Sequence, residues 1–538
     1  MLLIDNLRHD SFMDSSKAKA LFPNISMLIK RGFERSIVSN GHATKFAMAP
    51  IFSQTYPLDY DGYNYVMQNR PRSFVEEILA HNHTTHMFQA DDNDGPVSCC
   101  ERGFNTVEAI YDGRILLQNY IAEVLSEECR AWQAGKYSNE EISKILQESF
   151  GAVLKHLHSG KFRVVRRGLP SWIAYPNKRL KAAFKCELIL LNDNPIAVAN
   201  KILTLEPHFY HLGFGQVDPK SFYLSALRFI YWIGGVLRSR LISNNIFPFR
   251  LLKGNTSVPV KELLKGAYSV MKNNTHPWFI FAHIMDIHDR RQMDGLKGLF
   301  TRIVWYRNWS KYQRVGQSIN QLLYDYSLAK IDAEVGKMMK YLRDTNQEED
   351  TTFVISADHG CEMYDGSLRG HQEDFGWRTH GEHIVVPLIC APTDQKPSDL
   401  GLFDSMTFSA TVLDLLNITP HASFKGQSIF SFGRDAVITE NAGRGNANIK
   451  LNDLYFTITT EFYKAMAVLV HNKLQFCRLY NLKEDPQELQ NIIDKPNCES
   501  VIAQLVNYMF RERGDLLKNR GVERDSVVIS KDKNHASE

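Results

Sequence analysis

The 538-residue sequence is first informative for what it lacks. Eight cysteines (Cys99, Cys100, Cys129, Cys186, Cys361, Cys390, Cys477 and Cys498) are scattered with no C-x-x-C pair, which excludes a disulfide scaffold and a cysteine-rich zinc module and points to reduced thiols. A formal net charge of +3 on so long a chain excludes a whole-molecule field that would gather nucleic acid. Internal repeats and low-complexity tracts are absent. The most apolar window, Ser221 to Ser239, has Arg228 at its centre and a Gly-Gly pair, so it reads as a buried or surface-lying helix, with contact to a membrane surface as the lesser alternative. The opening "MLLIDNLRHDSF" lacks a basic stretch followed by a long apolar one. The expectation is a cytoplasmic or membrane-peripheral protein, with a start further upstream left open.

What is present is a core-forming composition, 44% hydrophobic. Strand-like runs alternate with helical periodicity. "MLLID" leads to "FPNISMLIKRGF", where Ile25, Leu28 and Ile29 share a face and Gly32 ends the helix; "RSFVEEILAHNHTTHMFQA" gives a helix and then a strand. Alternation of this kind predicts an α/β fold with a central, mostly parallel sheet covered by helices on both faces. From about residue 115 to 270 the text turns mainly helical, and the run from Lys161 to Lys185 carries eight basic residues and no acid: a solvated face, or a patch for an anionic substrate or lipid headgroup. The α/β pattern resumes at "HPWFIFAHIMDIHD" and continues through "YSLAKIDAEVGKMMKYL", "TTFVISADHG", "VVPLICAP" and "FSATVLDLLNI". The hairpin-like "LYFTITTEF" and "KAMAVLVHNKLQFCRLYNL" and the helix near "CESVIAQLVNYMFRER" suggest a small α+β unit. The expected organisation is an N-terminal core part (1–115), a helical insertion (116–270), the rest of the core (271–435), a small α+β subdomain (436–513) and a charged tail (514–538).

Three of these strands end in acidic or imidazole groups: Asp5, the pair Asp286 and His288, and the pair Asp358 and His359. In an open parallel sheet the carboxyl ends of the strands share one edge, where ligands bind. Carboxylate oxygen and imidazole nitrogen together suit a borderline divalent cation. Asp5, Asp358, His359 and the hydroxyl of Thr44 would make a four-ligand set, and contact with a cation would lower the pKa of that hydroxyl. Each residue alone has a plainer explanation, since an aspartate after a strand is often a helix cap and a threonine is usually structural.

The ordered segments "LLIDNLRHD", "FPNISMLIKRGF", "SNGHATKFAMAPIFSQTYP", "HPWFIFAHIMDIHD", "YSLAKIDAEVGKMMKYLRD", "TTFVISADHG", "HIVVPLI", "FSATVLDLLNI", "GQSIF" and "LYNLKEDPQELQNI" together resemble the sulfatase family of the alkaline phosphatase-like superfamily, over roughly residues 1–115 and 270–495. The resemblance implies a sulfatase-type fold with one or two divalent ions (Zn, Mn, Mg or Ca) at the strand ends. Matching Tyr56 and Pro57 to the end of the family's nucleophile motif places the nucleophile at Thr44. Sulfatases carry a cysteine or serine there, converted to formylglycine, within a C/S-x-P-S-R context; here Phe46, Ala47 and Met48 stand in place of P-S-R. Threonine cannot become formylglycine and instead resembles the phosphoryl-transferring branches of the superfamily. By the same resemblance Asp5, Asp358 and His359 match metal ligands, and "RTHGEHIVVPL" nominates His380, with His371 and His383 as rivals. Asp286 and His288 match a D-x-H segment that binds a second metal or the substrate oxyanion. Asn6 stands where many sulfatases have a second metal-binding aspartate, and Lys45 could pair with the substrate anion.

The expected activity is therefore metal-dependent phosphoester hydrolysis or transfer through Thr44, with His288 or His380 as acid or base, on an anionic ester such as a lipid or surface polysaccharide. The alternatives are sulfate-ester hydrolysis without formylglycine and a non-catalytic glycan- or lipid-binding relative. Oligomeric state is not legible.

Overall fold

The computed structural model describes residues 1–60, 62, 67, 69–89, 100–109, 117–118, 120–159, 177–216, 258–273, 276–290, 303, 319–363, 375–442, 453–496 and 498–529. The apolar window at 221–239, His371 and most of the basic run at 161–185 lie outside them. No helix among the described residues is long and apolar enough to cross a membrane.

Seven strands form the main sheet: β1 (Leu2–Ile4), β2 (Phe33–Val38), β3 (Thr84–Gln89), β4 (Thr106–Ala109), β5 (Trp278–Ile284), β6 (Phe353–Ser356) and β7 (Val385–Ala391), in the spatial order β2-β7-β6-β1-β5-β3-β4. β1 is buried along its whole length and pairs in parallel with β5 and β6, Leu3 lying opposite His283 on one side and Ser356 on the other. A strand enclosed on both faces must be continuously apolar, as Leu2, Leu3 and Ile4 are. β3 is parallel to both β4 and β5, whereas β7 is antiparallel to its neighbours β2 and β6.

That reversed strand organises the functional edge. The carboxyl ends of β1, β2, β5 and β6 all emerge on one side, and because β7 runs the other way, its amino end emerges there too. Three backbone hydrogen bonds tie the segment before β7 into this edge: Ser39 N–H to the Ile384 carbonyl (2.6 Å), Gly360 N–H to that of His383 (2.7 Å) and His9 N–H to that of Val385 (3.3 Å).

Helices close the core. The helix Pro23–Lys30 packs on β7 and on the long helix Ile319–Asp344, whose buried Asp332 accepts from the Asn24 and Ile25 amides and so satisfies two first-turn donors. Gly32 follows where the chain meets β7, and a Cβ there would fall 2.0 Å from the Cys390 carbonyl oxygen. Ser73 and Glu76 form a capping box for the helix Phe74–Ala80. Between the first and second halves of the sheet, described helices at Ser126–Gln133, Asn139–Ser159, Asn177–Asp193 and Pro195–Thr204 bury their own apolar cluster around Phe150, Leu154, Leu191 and Tyr210.

A second sheet holds β8 (Ala436–Ala442), β9 (Leu454–Thr460), β10 (Tyr463–Val470), β11 (Lys473–Asn481) and the short β12 (Val528–Ile529), antiparallel from β8 to β11. The turn between β10 and β11 is His471-Asn472, both residues at positive φ, the backbone that a two-residue hairpin requires. The helix Cys498–Asn519 shares the core of this sheet through Ile502, Leu505 and Met509.

Candidate active site

Thr44 is the first residue of the helix Thr44–Ser53 and is buried. The loop that delivers it leaves β2 and is wired into itself and into two other elements. Ser39 Oγ donates to the Gly41 carbonyl (2.6 Å), Asn40 Nδ2 donates to the Ile438 carbonyl (2.9 Å), and Asn40 Oδ1 accepts from the Ser405 amide (3.1 Å). Gly41 passes so close to the helix that a Cβ would lie 2.4 Å from that of Phe46. The position of the Thr44 hydroxyl is thus fixed by residues well outside the site.

That hydroxyl donates to Asp5 Oδ2 (3.3 Å), reaches Asp358 and lies 3.4 Å from His359 Nε2. His359 Nδ1 makes a 2.7 Å hydrogen bond to the Gly360 carbonyl, which makes Nδ1 the protonated nitrogen and turns the Nε2 lone pair toward the carboxylates. Nε2 lies 3.3 Å from Asp358 Oδ2 and 3.7 Å from Asp5 Oδ1. Burial, then the Asp358 charge, raises the Asp5 carboxyl to about 6 against the pull of His359, His288 and His283. For Asp358, burial works upward, yet His359, His283 and the hydrogen bonds from Thr44 and the His359 amide together hold it below its usual value.

A divalent cation fits here. Asp5 Oδ1 and Asp358 Oδ2 are buried carboxylate oxygens without a hydrogen-bond donor among the described residues, an arrangement that is costly for two acids unless a cation compensates it. One ligand atom each from Asp5, Asp358 and His283 lies within 4.8 Å of the others. His283 is the residue that the sequence pattern did not disclose: it sits inside β5, three positions before the more conspicuous Asp286 and five before His288. The available signal was a lone imidazole in a central, otherwise apolar strand whose side chains alternate.

The other candidates spread around this group. Asp286 Oδ2 accepts from the Val260 amide (2.7 Å) at the start of the helix Val260–Asn273, and Oδ1 pairs with Lys330 (3.1 Å). His288 is half-exposed beside Asp289 (3.1 Å), close enough for its charge to act on Asp5. Asn6 is buried at positive φ (65°) and its carbonyl accepts from Cys361 Sγ (3.8 Å). Lys45 is half-buried on the first helical turn. His42, two residues before Thr44, is buried against the Phe46 ring and pushed down to about 3 by burial, His359 and Arg378.

His380 is held from the second sheet's side of the molecule. Its Nδ1 bonds Glu488 Oε2 (2.8 Å), while Glu488 Oε1 accepts from Lys464 Nζ (2.6 Å) and the Gly381 amide (2.9 Å). Burial works against the Glu488 charge, but Lys464 and His380 overcome it and bring the carboxyl from 4.5 down to about 2. A folded-state value below the unfolded one adds stability that is complete above about pH 4.5 and is lost as pH falls toward 2, a contribution on the order of 3 kcal/mol. Glu488→Gln should therefore flatten the acid limb of the stability curve, read by circular dichroism during acid titration; parallel curves for the two proteins would contradict this.

The family model described as Sulfatase matches residues 208–418, a stretch that includes His283, Asp358, His359 and His380 and follows Asp5 and Thr44. A 2-O GAG sulfatase superposes with a TM-score of 0.52 at 13% identity, covering 97% of this chain and 93% of that one. The phosphonate monoester hydrolase of Agrobacterium radiobacter superposes with a TM-score of 0.53 at 14% identity, covering 96% and 95%. No curated protein matches in sequence. Residues 208–418 are thus similar to the sulfatase family, and the chain shares the fold of a 2-O GAG sulfatase and of a phosphonate monoester hydrolase.

Proposed function

We propose that the chain hydrolyses or transfers a phosphoester, with Thr44 as the nucleophile. The observation that carries this reading is the Thr44 hydroxyl at a helix N-terminus, in contact with Asp5, Asp358 and His359 at once. One or two divalent ions complete the proposal, held by Asp5, Asp358, His359 and His283 with Thr44 beside them. Such an ion supplies Lewis acidity, screening phosphoryl charge and easing loss of the hydroxyl proton.

The residues divide the remaining work. Oγ1 of Thr44 forms the bond to phosphorus while the bond from phosphorus to the leaving oxygen breaks, and the hydroxyl proton leaves along the hydrogen bond to Asp5 Oδ2. The first-turn amides of the helix Thr44–Ser53 and its positive end stabilise the equatorial oxygens. His288, at the exposed rim, protonates the leaving oxygen and then takes a proton from the water or acceptor hydroxyl that attacks phosphothreonine. Lys45 and Arg378 make the surroundings favourable to an anion.

Sulfate-ester hydrolysis is the second reading, favoured by the matched sulfatase model. Against it stands Thr44 itself, which cannot supply formylglycine, and the apolar Phe46, Ala47 and Met48 after it. A glycan carrying an anionic ester suits both readings, given that the 2-O GAG sulfatase shares this fold. The test is turnover of aryl phosphate monoester, phosphate diester, phosphonate monoester and sulfate ester by the wild type and by Thr44→Ala. Phosphoryl turnover that needs Thr44 supports the reading. Sulfate turnover that survives the substitution contradicts it.

A further inference from the structure

Next to the segment that carries Asp358 and His359 lies a second group of ligand-type side chains, independent of the phosphoester reading. Glu362 follows His359 by three residues, and Glu382 and His383 stand just before β7. The His383 side chain is 9% exposed, and its Nδ1 is buried and makes no hydrogen bond among the described residues. It faces Glu362, with Nδ1 3.8 Å from Oε1. One ligand atom each from Glu362, Glu382 and His383 lies within 4.8 Å of the others.

We propose that these three residues form a second divalent-cation site, separate from the group around Asp5. Two carboxylate oxygens and one imidazole nitrogen select a borderline cation of the zinc type over magnesium or calcium, which prefer oxygen alone. Three protein ligands leave a position for water. The spacing is too long for a hydrogen bond between His383 and Glu362, yet it is the separation expected of two ligands on one ion. Cationic groups oppose binding: Arg8 Nη1 lies 3.5 Å from Glu382 Oε2, and Arg378 with the imidazoles of His42, His359 and His380 acts on His383. The Arg8 guanidinium is already gripped by Asp10 through both Nε and Nη2, and it donates to the Cys361 carbonyl (3.2 Å), so it also fixes the loop.

The backbone gives the site its consequence. Gly360 N–H bonds the His383 carbonyl, and a Cβ at Gly360 would lie 2.2 Å from the Glu382 carbonyl oxygen. A cation joining Glu362 to Glu382 and His383 would clamp the two chain segments that meet at Gly360, and so hold Asp358 and His359 in place. Its role is structural support of the site around Asp5 rather than contact with substrate.

The test is zinc content by mass spectrometry after chelator stripping and refilling, on wild type, Glu362→Gln, His383→Gln and Asp358→Asn, each checked for native near-ultraviolet circular dichroism. Glu362→Gln and His383→Gln should each lose about one zinc per chain relative to wild type, while Asp358→Asn keeps that equivalent. Cobalt substitution of Asp358→Asn should give a visible absorption band that disappears on adding His383→Gln. A zinc count in Glu362→Gln equal to wild type overturns the proposal, as does a cobalt band indifferent to His383. If either single variant fails to fold, the other is added to Asp358→Asn and decides the matter: a cobalt band indifferent to it overturns the proposal. Because the readout is metal content, failure of the phosphoester reading leaves the result unaffected.

Discussion

Thr44→Ala lowers phosphoester turnover by about 10³-fold or more, and Thr44→Ser keeps it within about tenfold. The reason is chemical. Alanine removes the hydroxyl that touches Asp5, Asp358 and His359 together, whereas serine restores the same oxygen on a less constrained side chain. Fold stability should move little, by about 1 kcal/mol or less, because the hydroxyl's hydrogen bonds to Asp5 and His359 are long and weak (3.3 and 3.4 Å). A large activity loss with an unchanged melting temperature separates a nucleophile from a structural threonine. Steady-state kinetics on the same substrate for the three proteins, beside thermal melts, checks both halves.

The largest expected effect on stability lies elsewhere, in the helical region. Lys201 and Glu187 form a fully buried pair at 2.7 Å. Lys201 also donates to the Gly213 carbonyl (2.9 Å), and Glu187 accepts from the Gly215 amide (2.8 Å) and the Tyr210 hydroxyl. The two charges offset each other, and neighbouring backbone groups complete their hydrogen bonds. Lys201→Met should cost about 3–5 kcal/mol because it strands a carboxylate in the core, and adding Glu187→Gln should recover much of that by removing the uncompensated charge while keeping an acceptor for Tyr210. Chemical denaturation of the single and double variants measures it, and a double variant no more stable than Lys201→Met would contradict the account.

The same two regions show what a sequence can and cannot disclose. The alternation of strand and helix was legible because each element obeys its own period: Leu2 to Ile4 is apolar throughout and lies in the sheet centre, and Ile25 and Leu28 share the buried face of their helix. Motif order disclosed the superfamily where composition alone could not. The direction of β7 was not legible, since "VVPLICA" reads the same in either sense, and direction depends on the connection from β6. His283 was hidden for a related reason. Its importance comes from the register that sets it opposite Leu3, one strand over from the end at Asp5, and register is not written in any one segment. Asp286 is conspicuous in its D-x-H segment, but its hydrogen bond to the Val260 amide, 26 residues away, was not legible there. Lys201 and Glu187 are fourteen residues apart on neighbouring helices, so nothing local marked them as partners.

The central claim is that Thr44 Oγ1 becomes covalently attached to the transferred group, and the most direct measurement is peptide mass spectrometry after acid quench of the enzyme turning over an aryl phosphate. The account predicts a phosphorylated peptide whose fragments place the phosphate on Thr44, absent from Thr44→Ala. An enzyme that turns over the ester while every quenched sample carries an unmodified Thr44, or a phosphate located on another residue, would contradict it.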